Sequence, residues 1–394
     1  MHRIGSLILA VLILMGMFML AGCKDPVKPP DTPPDVPVSF DVLPNTVVGT
    51  FTDPQGVTHD ITADRYLAFL SYAVAQMAEV SGKQPVALAD PKVWQEPAEL
   101  PDGTQMSLRE TVKAQAKFLL LEAMTVEHWL AETGTSISDS TWEKVKENLG
   151  VKRPQGVSVD ELAFAIGMIR EGVPRLFFEI YKKGGEHEVK DALLRAFFDK
   201  YVRSYKWVYI DYAPVGETRL TEAEQIKARK DILRYQELYE RYGDFDKVIA
   251  FADAGGQGEF ADFKKPSGVS YWQDVITADS TSDQAFNKVL DSMAVGEVRV
   301  NNVDQYTALV IRLDPEKNRD DGKDIYTDIY DSMITFLLRD DSLHEELGAE
   351  FVAQLPPMLA ELLGAREDSC SLEMDSTWQM KLDPAIWYQE GAEQ

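Results

Sequence analysis

The chain has 394 residues, with 40 Lys and Arg side chains against 65 Asp and Glu, a formal charge of −25 and two cysteines. Its apolar residues, 45% of the total, are sufficient for two or three domains with buried cores. The acidic excess argues against a nucleic-acid partner, because neutralising phosphates requires a basic face. Two cysteines cannot form a disulfide framework or a four-thiolate metal site.

The first 23 residues have the pattern of an export signal. Met1-His2-Arg3 is a short cationic start, and an apolar run from Ile4 to Leu20 follows it. Small residues then precede Cys23, as in the lipobox of bacterial lipoproteins, whose cysteine is diacylated (for example with palmitate) and becomes the new N-terminus. An uncleaved membrane anchor is the alternative, although this run is near the lower length limit for spanning. We therefore predict a signal peptide at 1–22, a lipidated Cys23 and attachment to the extracytoplasmic face of the cell membrane.

Residues 23–45 are rich in proline, with seven of the twenty prolines lying between Lys24 and Asn45. Proline fixes φ and removes a hydrogen-bond donor, so this stretch is predicted to be an extended, semi-rigid tether. A PxxP ligand for an SH3-like module is the alternative, and it is disfavoured outside the cytoplasm.

Residues 46–205 are predicted to form a mainly helical segment. It opens with a short apolar piece at 47–51. Ser107 and Glu110 then have the spacing of a capping box at a helix start. Apolar residues at three- and four-residue spacing predict helices over 61–80, 107–130, 138–149, 159–181 and 187–205.

Residues 206–313 have a different pattern, in which strands and helices are mixed. A β-branched and aromatic run predicts a strand at 206–212, and Gly243 is placed to end a helix. Helices are predicted over 221–242, 244–252 and 283–293, and strands over 295–298 and 305–313. This mixture in about 110 residues indicates α+β packing.

Residues 314–394 return to a helical pattern. Helices are predicted over 324–338 and 342–363, and Pro356-Pro357 should kink or split the second. The tail after these helices is too apolar to be solvated, so we expect it to dock on the N-terminal helices. The predicted fold class is α+β, with 206–313 inserted between two segments of one helical domain.

Six short pieces of the chain occur in an order and spacing that identify a related family. They are Tyr205–Tyr212, Gly243-Asp244-Phe245, Phe251-Ala252-Asp253, Gly255–Phe260, Gly296-Glu297-Val298 and Tyr306–Leu313. Together they resemble the parvulin-type peptidyl-prolyl isomerases, in particular the PrsA-like lipoprotein foldases and the SurA-type chaperones. The resemblance implies a four-stranded parvulin-like domain flanked by helical chaperone segments.

The resemblance is lost where the family carries its catalytic histidines, one on the first strand and one on the last. Trp207 and Thr307 occupy those positions, and no histidine lies between His187 and His344. No catalytic residue is therefore assigned, and isomerase activity is predicted to be weak or lost. A proline or peptide cleft would be lined by Trp207, Tyr209, Phe260, Tyr306 and Thr307.

Other motifs do not complete a reactive site. Glu186-His187-Glu188 and His344-Glu345-Glu346 each lack the further ligands that a metal site requires. Gly255–Gly258 lacks the lysine and serine of a phosphate-binding loop and indicates a turn. Cys370 has no disulfide partner once Cys23 is acylated. No metal and no cofactor are predicted.

These patterns together predict a membrane-anchored extracytoplasmic folding factor that binds unfolded or nascent secreted polypeptides. Two alternatives stay open. One is an active peptidyl-prolyl isomerase with a divergent site, and the other is a non-catalytic lipid-anchored adaptor that holds one specific envelope partner.

Overall fold

The computed structural model describes residues 43–80, 90, 92–99, 105–149, 151, 157–214, 216, 218–254, 266–279, 282–319 and 321–385. The predicted signal peptide, Cys23, most of the proline-rich tether and Phe260 lie outside these residues. The chain divides into two units, the first within 1–187 and 357–394 and the second comprising 188–356.

The fold is α+β, as the sequence predicts. The helices, α1 to α15 in chain order, are Ala63–Val80, Leu108–Glu132, Asp139–Glu147, Val159–Gly167, Val173–Tyr181, Asp191–Tyr201, Glu222–Tyr242, Phe245–Asp253, Gln284–Ser292, Ile325–Asp328, Tyr330–Arg339, Asp341–Leu347, Ala349–Val352, Leu359–Glu367 and Ser376–Lys381. The strands, β1 to β9, are Val47–Thr52, Thr58–Thr62, Pro97–Glu99, Gln105–Ser107, Val202–Asp211, Gly268–Ile276, Val298–Asn302, Tyr306–Leu313 and Ser371–Met374.

The first unit is built around α2, whose apolar face is buried along its whole length. The predicted capping box is confirmed, because Ser107 Oγ accepts from the Glu110 N–H and the Glu110 carboxylate accepts from the Ser107 N–H at 3.1 Å. Strand β1 pairs antiparallel with β2 on one side and with β9 on the other. The C-terminal strand β9 therefore completes a three-stranded sheet that begins near the N-terminus of the described chain.

The predicted helix over 159–181 differs from the structure in its middle. Residues Met168–Gly172 form a π-helical turn between α4 and α5. Pro174 lies at the start of α5 and has no N–H to donate, so the preceding turn widens while the two helices stay nearly continuous.

The second unit contains the four-stranded antiparallel sheet, in the order β6-β5-β8-β7. The predicted helix over 187–205 is too long at its end, because α6 stops at Tyr201 and β5 starts at Val202. From this point buried and half-buried residues alternate, with Tyr205, Trp207 and Tyr209 in the half-buried set, and this period of two favours a strand over a helix. On one face of the sheet, α7 and α8 bury Val208, Ile210 and Leu309.

The second unit is longer than the predicted region 206–313. It also contains helices that precede and follow the sheet in the sequence, and these helices pack together. Helix α6 packs against α11. Phe198 on α6 contacts Tyr326 on α10, with ring centroids 5.3 Å apart, and Arg195 pairs with Glu316 at 2.8 Å.

The predicted helix over 342–363 is replaced by three shorter helices, α12, α13 and α14. Gly348 has a φ of +85°, which an L side chain rarely adopts, and it separates α12 from α13. Pro356-Pro357 then separates α13 from α14, as the sequence predicts. None of the helices in the described residues is long and apolar enough to cross a membrane.

Candidate functional site

The face of the four-stranded sheet opposite α7 and α8 carries aromatic side chains. Along β5, buried and half-buried residues alternate, and the half-buried set includes Tyr205, Trp207 and Tyr209. These three side chains share a face because successive strand residues point to opposite sides. Helix α9 covers part of this face, where Leu290 packs beside Val310 of β8.

Five rings on this face contact one another, and we call them the aromatic cluster: Tyr205, Trp207, Tyr209, Phe286 and Tyr306. The Trp207 ring is central. Its centroid lies 4.5 Å from that of Tyr209 in a stacked arrangement, 5.1 Å from that of Phe286, and 5.7 Å from that of Tyr306 in an edge-to-face arrangement. Phe286 is buried and the other four rings are half-buried, so the cluster presents an apolar, π-rich surface to solvent.

A glycine on β6 makes room for this arrangement. Gly268 pairs with Tyr209, and a Cβ atom at Gly268 would lie 2.5 Å from Tyr209 Cε1. No real Cβ contact is that short, so a side chain here must displace the Tyr209 ring. Glycine at 268 therefore allows Tyr209 to lie across β6 and stack on Trp207.

Replacing Gly268 by valine should lower the free energy of unfolding by about 1–3 kcal/mol, because the new side chain overlaps the Tyr209 ring. Urea denaturation of the wild type, Gly268→Val, Tyr209→Ala and the double variant measures this. If overlap with the Tyr209 ring causes the destabilisation, Gly268→Val lowers the free energy of unfolding much less in the Tyr209→Ala background than in the wild type. An equal cost in both backgrounds would contradict this account of the site.

Tyr306 is fixed by a hydrogen bond to an aspartate outside the sheet. Its hydroxyl donates to Asp283 Oδ2 at 2.8 Å, while Asp283 Oδ1 accepts from the Phe286 N–H at 3.1 Å and caps α9. Burial, this hydrogen bond and the Asp283 charge raise the pKa of Tyr306. Burial, with the charges of Asp274 and Asp283, raises the pKa of Tyr205 to about 12. Both phenols are therefore neutral donors at physiological pH.

The structure brings together three of the five predicted cleft residues, Trp207, Tyr209 and Tyr306. Thr307 lies on the opposite face, because it follows Tyr306 directly along β8. It is fully buried, and its hydroxyl donates to Asn302 Oδ1 at 2.6 Å. Phe260 lies outside the described residues.

Three residues of the site were not predicted from the sequence: Tyr205, Phe286 and Asp283. Tyr205, Trp207 and Tyr209 are alternate residues of one strand, so strand alternation alone could have added Tyr205 to the predicted cleft. Phe286 lies on the predicted helix over 283–293, but no pattern in the sequence pairs that helix with this face of the sheet.

The remaining motifs form no second reactive site in the described residues. The His344 imidazole bonds through Nε2 to the Leu337 carbonyl at 2.7 Å. Cys370 is half-buried and accepts a long hydrogen bond from the Thr125 hydroxyl. Within the described part of the chain, no group of three or more His, Cys, Asp or Glu side chains could hold a metal ion.

The cluster is suited to binding rather than to proton transfer. It contains no histidine, carboxylate or lysine, and its own polar groups are phenol hydroxyls and the Trp207 indole N–H. Prolyl isomerisation requires no nucleophile, because its barrier of about 20 kcal/mol lies in rotating a partial double bond. An apolar surface with a few neutral donors, such as the Trp207 indole N–H, could hold a peptide but offers little to lower that barrier.

Comparison with known proteins gives two structural likenesses. No family model and no curated protein sequence matches the chain. The structure is similar to the crystal structure of PrsA from Bacillus subtilis, at 13% identity and a TM-score of 0.28, over 64% of this chain and 90% of that one. It is also similar to the foldase protein PrsA from Streptococcus pneumoniae, at 13% identity and a TM-score of 0.29, over 76% of this chain and 94% of that one.

Proposed function

We propose that this protein is a lipid-anchored, extracytoplasmic folding factor that holds unfolded secreted polypeptides on the aromatic cluster. The observation that carries the proposal is the half-buried state of Tyr205, Trp207, Tyr209 and Tyr306 on one face of the sheet. A group of contiguous apolar side chains that remains partly exposed marks a site for a ligand or a partner. Aromatic side chains provide large contact areas at low entropic cost, which suits binding of extended, varied segments.

The proposal places the protein at the membrane by covalent attachment. The apolar run that ends at Cys23 and the proline-rich residues after it are the sequence features that support this placement. Two acyl chains on one cysteine would anchor the chain stably, and the tether would hold the folded units away from the bilayer. Clients would then be met as they leave the export channel.

Isomerase activity is a secondary candidate, favoured by one observation. The Trp207 indole N–H is a donor at the centre of the cluster and could stabilise a twisted amide, whereas the Tyr306 hydroxyl gives its proton to Asp283. Against this, β5 and β8, the first and last strands of the sheet in chain order, carry no histidine. We therefore propose that the cluster binds client segments with little or no acceleration of prolyl isomerisation.

The full mature chain should suppress the aggregation of several unrelated unfolded proteins at near-stoichiometric ratios. It should also leave the isomerisation rate of a proline tetrapeptide at the uncatalysed value. Light scattering during dilution from urea and a protease-coupled peptide assay measure the two activities. A rate well above background would support the divergent isomerase instead. Capture of one stoichiometric envelope protein, without any suppression of aggregation, would support the adaptor.

A further inference from the structure

Asp283 occupies a distinct position at the rim of the aromatic cluster. It is exposed, it follows the loop after β6, and its carboxylate links the first residue of β8 to the start of α9. The pKa of Tyr205 and the pKa of Tyr306 are both raised in part by the charge of Asp283. The negative potential of this carboxylate therefore extends over two rings of the cluster.

Asp283 differs from its acidic neighbours in having no cation beside it among the described residues. Asp274 pairs with Arg319, which also pairs with Asp328. Asp291 pairs with Arg203 at 3.0 Å. The two groups that bond to Asp283 are neutral donors, a backbone N–H and a phenol, so its full charge remains available to a ligand.

Two basic side chains near the sheet donate their hydrogen bonds to groups other than Asp283. Arg312 lies on the aromatic face, but its guanidinium donates to the carbonyls of Leu290 and Met293. Lys206 points to the opposite face and bonds to Asp246 at 2.7 Å. The aromatic cluster therefore has at one edge a carboxylate that neither of these two basic side chains bonds to.

An exposed carboxylate beside electron-rich rings is a combination that attracts cations. A Lys or Arg side chain can lay its methylene stem along the rings while its charged end reaches the carboxylate. Resting on the proposed function, we infer that Asp283 makes the aromatic cluster selective for client segments that carry Lys or Arg beside their apolar residues. The acidic charge of the whole chain, −25, would favour the encounter with such segments.

The selectivity can be measured with three peptides that share one apolar, proline-containing core and differ only in their flanks, which are Lys, Gln or Glu. Fluorescence anisotropy of labelled peptides gives their affinities for the full mature chain at low and high salt. The informative variant is Asp283→Asn, which retains the side-chain shape and a helix-capping oxygen. The matched control is Asp244→Asn, at the N-cap of α8 on the opposite face of the sheet.

The wild type and Asp244→Asn should bind the Lys-flanked peptide about three- to fivefold more tightly than the Gln-flanked one, and the Glu-flanked one least. The ratio of the affinities for the Lys-flanked and Gln-flanked peptides should fall towards one in Asp283→Asn, and in the wild type at high salt. A ratio that is unchanged in Asp283→Asn would overturn the inference while leaving the proposed function intact. Failure of all three peptides to bind at any salt concentration would overturn both.

Discussion

Replacement of Trp207 by alanine should weaken the binding of unfolded clients by about tenfold or more. Trp207 contacts four other rings of the aromatic cluster, so its loss removes the central contact surface and frees its neighbours to move. Central aromatic anchors typically account for about 2 kcal/mol or more of binding free energy, and about 1.4 kcal/mol is tenfold in affinity. Anisotropy with a labelled unfolded client measures the loss directly, and aggregation suppression should fall with it.

A second tryptophan in the same sheet is the matched control. Trp272 on β6 is half-buried, and its ring lies 5.4 Å from Lys206 Nζ, on the face that α7 and α8 cover. Trp272→Ala removes the same side chain from the other face, so it should retain client binding even if it lowers stability. Far-UV circular dichroism of both variants checks that the fold is kept. Equal losses of binding in the two variants would show that the aromatic cluster is not the client site.

Strand alternation made β5 and β8 predictable from the sequence, whereas β6 was missed. The predicted strand at 206–212 lies within β5, because β-branched and aromatic residues alternate there. Strand β6, Gly268–Ile276, is at the edge of the sheet, and most of its residues are half-buried or exposed. Such a strand needs no apolar face of its own, so its sequence carries little periodic signal.

The candidate site was only partly predictable because the choice of face depends on register. Tyr306 and Thr307 are adjacent on β8, and a strand can turn only one of two adjacent residues towards the cluster. From the sequence alone, both were candidates. Pairing of Trp207 with Val310 and of Tyr209 with Ala308 places the even-numbered residues of β8 on the aromatic face. Tyr306 shares this parity, and it is therefore the residue that Asp283 can reach.

The sequence predicts that the C-terminal tail docks on the N-terminal helices, but it does not predict which strands pair there. Strand β9 has four residues, and nothing in Ser371–Met374 specifies β1 as its partner. Gly49 allows this pairing, because a Cβ atom there would lie 2.6 Å from the Glu373 carbonyl oxygen. Long-range pairing of this kind follows from packing of the whole unit rather than from local propensity.

The packing of α14 on α2 brings two carboxyl groups together inside the first unit. Glu122 on α2 is buried, with 7% of its surface exposed. Burial, together with the charge of Glu367 on α14, raises the pKa of Glu122 to about 8. Burial and the neighbouring Asp368 raise the pKa of Glu367 to about 7. Glu122 also lies close enough to Tyr72 of α1 for its charge to raise the pKa of that phenol.

The stability of the first unit should therefore fall as the pH rises from about 5 to 8. A carboxyl whose pKa is higher in the folded chain binds a proton more tightly there than in the unfolded chain. Folding is thus favoured below the unfolded pKa, and this advantage is lost as the pH rises through the folded pKa. A difference of one unit between the folded and unfolded pKa corresponds to about 1.4 kcal/mol, so the raised pKa values of Glu122 and Glu367 should together lower the free energy of unfolding by several kcal/mol. Urea denaturation followed by circular dichroism at several pH values measures it.

Glu122→Gln should remove most of this pH dependence and should raise stability at pH 8, because a neutral amide of similar shape replaces a carboxylate that is costly to bury. Glu147→Gln, on the exposed surface of α3 in the same unit, is the matched control and should keep the wild-type slope. If Glu122→Gln destabilises the chain equally at pH 5 and pH 8, the cost arises from the change of side chain and not from the protonation of Glu122. If both variants keep the wild-type slope, the pH dependence arises from groups other than Glu122.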